Sequence, residues 1–309
     1  MDFGNQTITN VVVLLGFQIP FYFKVHFFLL IFILYSLTVA ANIMIVSLVS
    51  LSPSLHRPMF FFLSHLSLSD MMLATNIVPV MLCGIIKGEV TLSIAECIFQ
   101  FTIFCISLAL ESLILAVMSF DRYLAVCNPL RYISIMDKKL CFQFVTLCWV
   151  LSIIISIIMY VMMSRLTFCG LNTIDHFFCD FFPILKLSCS DTSAVELEQM
   201  LIAAPTAMCP FVFIVVTYIY IFITVLRIPT TVGRQKAFST FSSHLTVVSI
   251  FFGSLISLYL FPSQKESSIN ANKIVSFMYI VFTPLFNPLI YSLRNKKIRN
   301  SLQKYLRAI

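Results

Sequence analysis

Charge is what this sequence most lacks. Asp, Glu, Lys and Arg make up 11% of its 309 residues, against about a quarter in ordinary soluble domains. With 60% hydrophobic residues, the chain cannot cover itself with polar groups in water, so lipid must be its solvent. Glycine is scarce too: seven Gly beside 32 Phe exclude a Gly-rich nucleotide-binding fold. Histidine is limited to His26, His56, His65, His176 and His244, scattered with no pair at metal-site spacing. No nucleophile and base stand together either, so nothing here supports an enzyme. The first twenty residues lack a basic segment, an apolar stretch and a small-residue cleavage site in series. No cleavable signal peptide is expected, and the first apolar run acts as its own insertion signal. Internal repeats are absent, which speaks against a transporter or channel built from inverted halves.

Long apolar runs are what it has. A helix needs roughly 20 apolar residues to cross the hydrocarbon core. Seven such runs predict spans near 25–51, 58–84, 97–126, 140–162, 197–226, 237–262 and 272–293. Pro53, Pro58 and Pro129 punctuate the turns between them, where a ring without N–H discourages continued helix. Pro205, Pro210, Pro284 and Pro288 fall inside spans, which bilayer helices tolerate when neighbours satisfy the freed carbonyls. The fold class is therefore an all-α integral membrane bundle of seven transmembrane helices, one domain over residues 1–309.

The net charge of +7 does not point to nucleic acid, because the basic residues sit in short segments between apolar runs. Their asymmetry sets an orientation. With the N-terminus outside, Arg57, Arg122, Arg131, Lys138, Lys139, Arg227, Arg234 and Lys236 face the cytoplasm. The tail adds Arg294, Lys296, Lys297, Arg299, Lys304 and Arg307, while the other face receives only Lys24, Lys87, Arg165, Lys186, Lys265 and Lys273. Residues 1–24 are then extracellular and 294–309 cytoplasmic, in a multi-pass plasma-membrane protein. Asn5-Gln6-Thr7 is a glycosylation sequon on the outer segment. In the tail, Ile298, Leu302, Tyr305 and Leu306 recur at helical spacing among basic residues, the pattern of a short amphipathic helix on the inner leaflet.

Of ten Cys, six (Cys83, Cys105, Cys127, Cys141, Cys148 and Cys209) lie in or beside spans and serve as small apolar residues. Cys97, Cys169, Cys179 and Cys189 fall on the oxidising outer face. Four Cys allow three pairings, and spacing does not choose among them. His176, in the loop carrying three of these Cys, is expected to be a solvated side chain rather than a metal ligand.

An ionisable residue inside a span costs several kcal/mol to bury and is a functional candidate by default. Asp70 and Glu111 qualify, with Asn42 and Asn287 as polar company. Two carboxylates facing each other across a bundle either share a proton or hold a cation such as sodium. Asp121-Arg122-Tyr123 closes span three at its cytoplasmic end. There Arg122 can be claimed by either of two partners, as a bistable switch requires.

Asp121-Arg122-Tyr123, with Asn287-Pro288-Leu289-Ile290-Tyr291 in span seven, resembles rhodopsin-like G-protein-coupled receptors. Longer strings narrow the resemblance to odorant receptors. They are Leu55 through Leu63, Leu66 through Asp70, Met118 through Cys127, Pro129 through Tyr132, Lys236 through Thr240 with Ser243-His244, and Pro284 through Asn295. Ala41, Phe60, Ser119-Phe120, Phe241 and Phe252 depart from the family pattern. Phe252 stands where span six usually has Tyr, which makes the expected pocket floor more apolar.

The resemblance implies disulfides Cys97–Cys179 and Cys169–Cys189. It also places a small-molecule odorant between spans three, five, six and seven, under the outer loop. Phe104, Cys105, Leu108 and Ala109 would line it from span three, and Phe252, Gly253, Ile256 and Tyr259 from span six, with Tyr259 as hydrogen-bond donor. No fixed charge lies on those faces, which favours a mostly apolar volatile over an amine or a carboxylate. Asp121, Arg122, Tyr123, Asn287, Pro288 and Tyr291 would form the switch. The implied partner is a stimulatory, olfactory-type heterotrimeric G protein that raises cyclic AMP. No cofactor is expected beyond a sodium ion at Asn42, Asp70, Glu111 and Asn287. A receptor for a peptide or lipid is the nearest rival, and it would want charge in the pocket or a long ordered N-terminus.

Overall fold

A computed structural model describes residues 9–170, 172–260 and 266–306. Side chains are described there except at 236–240, 258–260, 266–270, 293, 294, 296, 305 and 306. Asn5 and Arg307 lie outside the described residues, as does the side chain of Tyr259. Strand β1 (Val11–Leu14) leads into α1 (Phe21–Leu51), α2 (Pro58–Lys87), β2 (Val90–Ser93) and α3 (Ile94–Cys127). There follow α4 (Pro129–Ile135), α5 (Lys138–Ser164), β3 (Thr173–Ile174), α6 (Phe181–Leu185) and α7 (Ser193–Glu198). The chain closes with α8 (Ala204–Leu226), α9 (Thr231–Leu260), α10 (Glu266–Phe277), α11 (Thr283–Arg294) and α12 (Lys296–Leu306).

Among the described residues six helices are long and apolar enough to cross a membrane, and α9 carries a shorter apolar stretch, Phe241–Ser257. One of the six is α7 and α8 joined through a π turn at Gln199–Ala203, and another joins α10 to α11 through Met278–Phe282. Both π turns stand just before a proline, Pro205 and Pro284, where a missing N–H breaks the regular ladder. The helix starts are set locally. Pro58 opens α2 at its first turn, and Ser93 with Glu96 forms a reciprocal capping box that starts α3 three residues before the expected 97. At the far end of α2, Gly88 adopts φ 93° and its N–H returns to Gly84 at 2.8 Å, a left-handed cap that suits glycine.

Helix α3 forms the centre of the bundle, packed on α2, α5 and α8. Two of the prolines inside the helices are answered by neighbours. Pro210 deprives the Thr206 carbonyl of its N–H, and Ser112 on α3 donates to that oxygen at 3.4 Å. Pro288 does the same to the Pro284 carbonyl, which Asn42 on α1 reaches at 2.9 Å. On α1 the rings of Phe21, Tyr22 and Phe23 are 82%, 86% and 64% exposed, an aromatic girdle of the kind found at membrane–water boundaries.

The expectation of pure helix omits a small sheet. β1 pairs antiparallel with β2 (Val11↔Ser93 to Leu14↔Val90) and parallel with β3 (Val13↔Thr173). Val12 and Leu14 point inward and are buried, while Val11 is exposed, the two-residue period of a half-buried strand. At the opposite end α12 docks on the α1–α2 turn. Ile298 is buried, and Ser301 hydrogen-bonds Ser52 and Ser54 at 3.3 and 3.1 Å.

Candidate functional site: a lidded cavity above a buried carboxylate pair

The sheet end is closed by a lid. Disulfides Cys97–Cys179 and Cys169–Cys189 hold it, with Cα separations of 5.4 and 5.9 Å. Gln100 on α3 accepts the Cys179 N–H at 2.9 Å beside the first of them. Lys273 on α10 clamps the lid from the other side, donating to Asp175 and, at 3.3 Å, to the carbonyl of Gly16. His176 is not solvated, as the sequence suggested; it is 3% exposed, stacked on Phe177 and edge-on to Phe178. Burial, then the nearby charge of Lys273, pushes its pKa down to about 3, so the ring is neutral.

Under the lid lies a cavity of about 220 Å³. Phe101, Phe104, Cys105, Leu108 and Ala109 line it from α3, and Ile155, Ser156 and Met159 from α5. Gln199, Ala203, Thr206 and Ala207 contribute from the α7–α8 helix, Leu255 from α9, and Asn272, Ser276, Tyr279 and Ile280 from α10 and the turn after it. All four expected span-three residues are therefore present. The expected span-six face is not: Phe252, Gly253 and Ile256 line a separate groove of about 660 Å³ between α8 and α9. One residue along a helix rotates a side chain by about 100°. Phe251 meets Tyr279 at 5.9 Å and Leu255 reaches the cavity, whereas Phe252 packs on Phe211 at 4.9 Å.

Charge also differs from expectation. Asp180, in the lid next to Cys179, lines the cavity. It caps α6 by accepting the Phe181 N–H at 2.8 Å. Burial pushes its carboxyl above the usual value, with that hydrogen bond acting in the opposite sense. The faces of spans three and six carry no charge, as the sequence indicated, and the carboxylate comes from the loop instead.

Below the cavity Asp70 and Glu111 are both buried and share one amide. Asn287 Nδ2 donates to Asp70 at 3.0 and 3.1 Å and to Glu111 at 3.1 Å. Tyr279, a cavity wall, donates its hydroxyl to the other oxygen of Glu111 at 3.3 Å. The cavity and the carboxylate pair are thus one hydrogen bond apart. Asn42 does not join this group, since its amide goes to the Thr38 and Pro284 carbonyls.

At the tail end Arg122 pairs with Asp121, whose Oδ1 accepts the Tyr132 hydroxyl at 2.8 Å. Burial, then the charge of Asp121, pushes the Tyr132 hydroxyl pKa up, so it stays a donor. Tyr218 hydrogen-bonds His244 across α8 and α9. Tyr123 meets Tyr220 edge-on at 6.2 Å, and Tyr291 after Pro288 is fully buried with its hydroxyl unpartnered.

A lidded cavity linked by hydrogen bonds to a polar core, above an Asp-Arg-Tyr end, is the organisation of a multi-pass membrane receptor. Squid rhodopsin shares the fold, with a TM-score of 0.74 at 17% identity, covering 94% of this chain and 87% of that one. The olfactory receptor family model matches residues 30–308. Human olfactory receptor 2A12 is 40% identical over 98% of this chain and 97% of its own length. Rat olfactory receptor 1468 is 41% identical over 98% and 96%, and mouse olfactory receptor 5P56 is 41% identical over 98% and 98%. The chain belongs to the olfactory receptor family of G-protein-coupled receptors, which are receptors and not enzymes.

Proposed function

We propose that this receptor resides in the plasma membrane as a single seven-span domain, residues 1–24 outside and 294–309 inside. Its agonist is a small volatile with an apolar body, held in the cavity under the lid. The charge asymmetry of the loops supports the orientation, and the disulfide-bonded lid suits an oxidising exterior. An apolar cavity of about 150 Å³ takes benzene, so one of about 220 Å³ suits a molecule only moderately larger.

Tyr279 carries the reading, because it touches the cavity and Glu111 at once. A ligand that shifts Tyr279 alters the hydrogen bonding of the carboxylate pair. One amide cannot neutralise two buried charges. Asn287 turns N–H groups toward both carboxylates and occupies the space between them, which favours a shared proton over a sodium ion. Movement there passes along α11 to Pro288 and Tyr291, and along α3 to Asp121, Arg122 and Tyr123. In the active state Arg122 leaves Asp121 as α9 swings away from α3, and the cleft so opened admits a stimulatory, olfactory-type heterotrimeric G protein. The agonist must bind the two states unequally for this to signal. Lipid covers the exposed apolar faces, and α12 rests on the inner leaflet.

The test is a cyclic AMP screen of surface-expressed receptor against a diverse odorant panel, followed by Arg122→Ala. Ligand-evoked cyclic AMP that survives Arg122→Ala would sink the coupling mechanism. Silence across the panel would favour a peptide or lipid ligand.

A further inference from the structure

The cavity wall carries no Lys, Arg or His among its described residues, and it carries one carboxylate, Asp180. A second carboxylate stands close by. Glu198 ends α7 just before the wall residue Gln199; it is 5% exposed, and neither carboxylate oxygen has a hydrogen-bond partner. Asp180 and Glu198 both lie within electrostatic reach of the Cys105 thiol on the same wall. Two further acceptors are orphaned there. Ser156 is 1% exposed with its hydroxyl unpartnered, and the Asn272 side-chain oxygen is unpartnered as well.

Buried polar groups normally find partners, and those that do not call for an explanation. These are overwhelmingly acceptors, so what would satisfy them is a donor-rich, positively charged group. Lys273 cannot supply it, being committed to Asp175 and Gly16 in the lid. A bare metal ion fits poorly, since no three His, Cys, Asp or Glu among the described residues are placed to hold one. The wall also carries the rings of Phe101, Phe104, Phe178 and Phe181, and ring faces attract an organic cation while burying its apolar part.

We propose that the ligand is a small primary amine, protonated at neutral pH, whose ammonium is received at the Asp180–Glu198 end of the cavity. Its apolar body lies among Phe101, Phe104 and Phe178. The proposal rests on the receptor reading above and names the chemistry of its agonist.

The test compares hexylamine, cyclohexylamine and phenethylamine with hexanol, cyclohexanol and phenethyl alcohol on the full chain. Two readouts are taken: cyclic AMP in cells with surface expression confirmed, and thermal stabilisation of the purified receptor, which needs no G protein. At least one amine is expected to stabilise the receptor at a concentration ten-fold or more below its alcohol. Asp180→Asn and Glu198→Gln are each expected to weaken that amine ten-fold or more, and Asp180→Glu to retain it. Should Asp180→Asn fail to fold, Glu198→Gln and the amine-to-alcohol ratio of the native receptor still decide. Alcohols as potent as amines, or amine potency untouched by both neutralising variants, overturn the proposal and leave the small-molecule reading standing. Stabilisation by an amine without cyclic AMP supports the amine and overturns the coupling. No response to any compound in either readout overturns the amine proposal, and the wider odorant panel then judges the receptor reading separately.

Discussion

The carbonyl of Pro284 accepts the side-chain amide of Asn42 at 2.9 Å, because the residue one helical turn on is Pro288 and has no N–H to give. We expect Asn42→Ala to lower stability by about 1–3 kcal/mol, the usual cost of stranding a buried acceptor. In a Pro288→Ala background the N–H returns and the loss should shrink, giving a coupling on the order of 1 kcal/mol in a double-mutant cycle. Thermal unfolding in micelles measures it. Additive losses would mean that the carbonyl is not what Asn42 serves.

Asn287 presents a second case of one amide answering two acceptors. Asn287→Ala should cost on the order of 3 kcal/mol, since it leaves two buried carboxyl groups without a shared donor. Adding Glu111→Gln removes the like charge and should recover part of that loss. If the double variant melts below Asn287→Ala, repulsion between Asp70 and Glu111 does not govern the site. A melting point that rises with sodium concentration would favour the ion over the proton.

The lid should weaken in acid. His176 has a pKa of about 3 in the folded chain, against about 6.5 when unfolded. Between those values the unfolded chain binds a proton that the folded one refuses, so stability falls as pH drops below about 6.5. The slope reaches at most about 1.4 kcal/mol per pH unit for one group. His176→Phe should flatten the profile, as read by hydrogen exchange at Val11–Leu14 between pH 7 and pH 5. An unchanged slope would assign the sensitivity elsewhere.

The helical phase of α9 can be checked through the cavity. Leu255→Phe should reduce agonist potency ten-fold or more by filling the cavity, while Ile256→Phe, one position on, should leave it nearly unchanged. Dose–response curves for a single agonist suffice. The reverse ranking would restore the span-six face expected from family resemblance.

Much of this was legible in the sequence, for physical reasons that differ by feature. Apolar run lengths gave most spans to within a few residues, because lipid imposes one thickness on every helix, while α9 begins six residues before the expected 237. Asp70, Glu111 and Asn287 announced themselves by being polar in an apolar setting. The four disulfide-forming Cys were legible as a set, and family resemblance supplied the pairing found. Three features stayed hidden. The sheet rests on strands of four, four and two residues, too short to show a period, although Val11-Val12-Val13 is a β-branched run. The position of Phe252 depends on helix rotation, which apolarity on every face of α9 does not encode. Asp180 lies inside the cysteine-bonded loop and Glu198 beyond it, and only the folded lid brings them near Cys105. The capping pair Ser93 and Glu96 was readable and would have placed the start of α3.

The small sheet has a consequence for how the receptor is made. β1 leaves the ribosome before the helices it packs beside, yet its neighbour Thr9 meets Gly170, 161 positions later. The strand meets β2 once α1 and α2 have been inserted, but its other partner, β3, arrives only after α3 and α5 as well. Such distant pairing is slow to form. During that interval the lid lacks its third strand, so its closing follows the threading of α1, α2, α3 and α5.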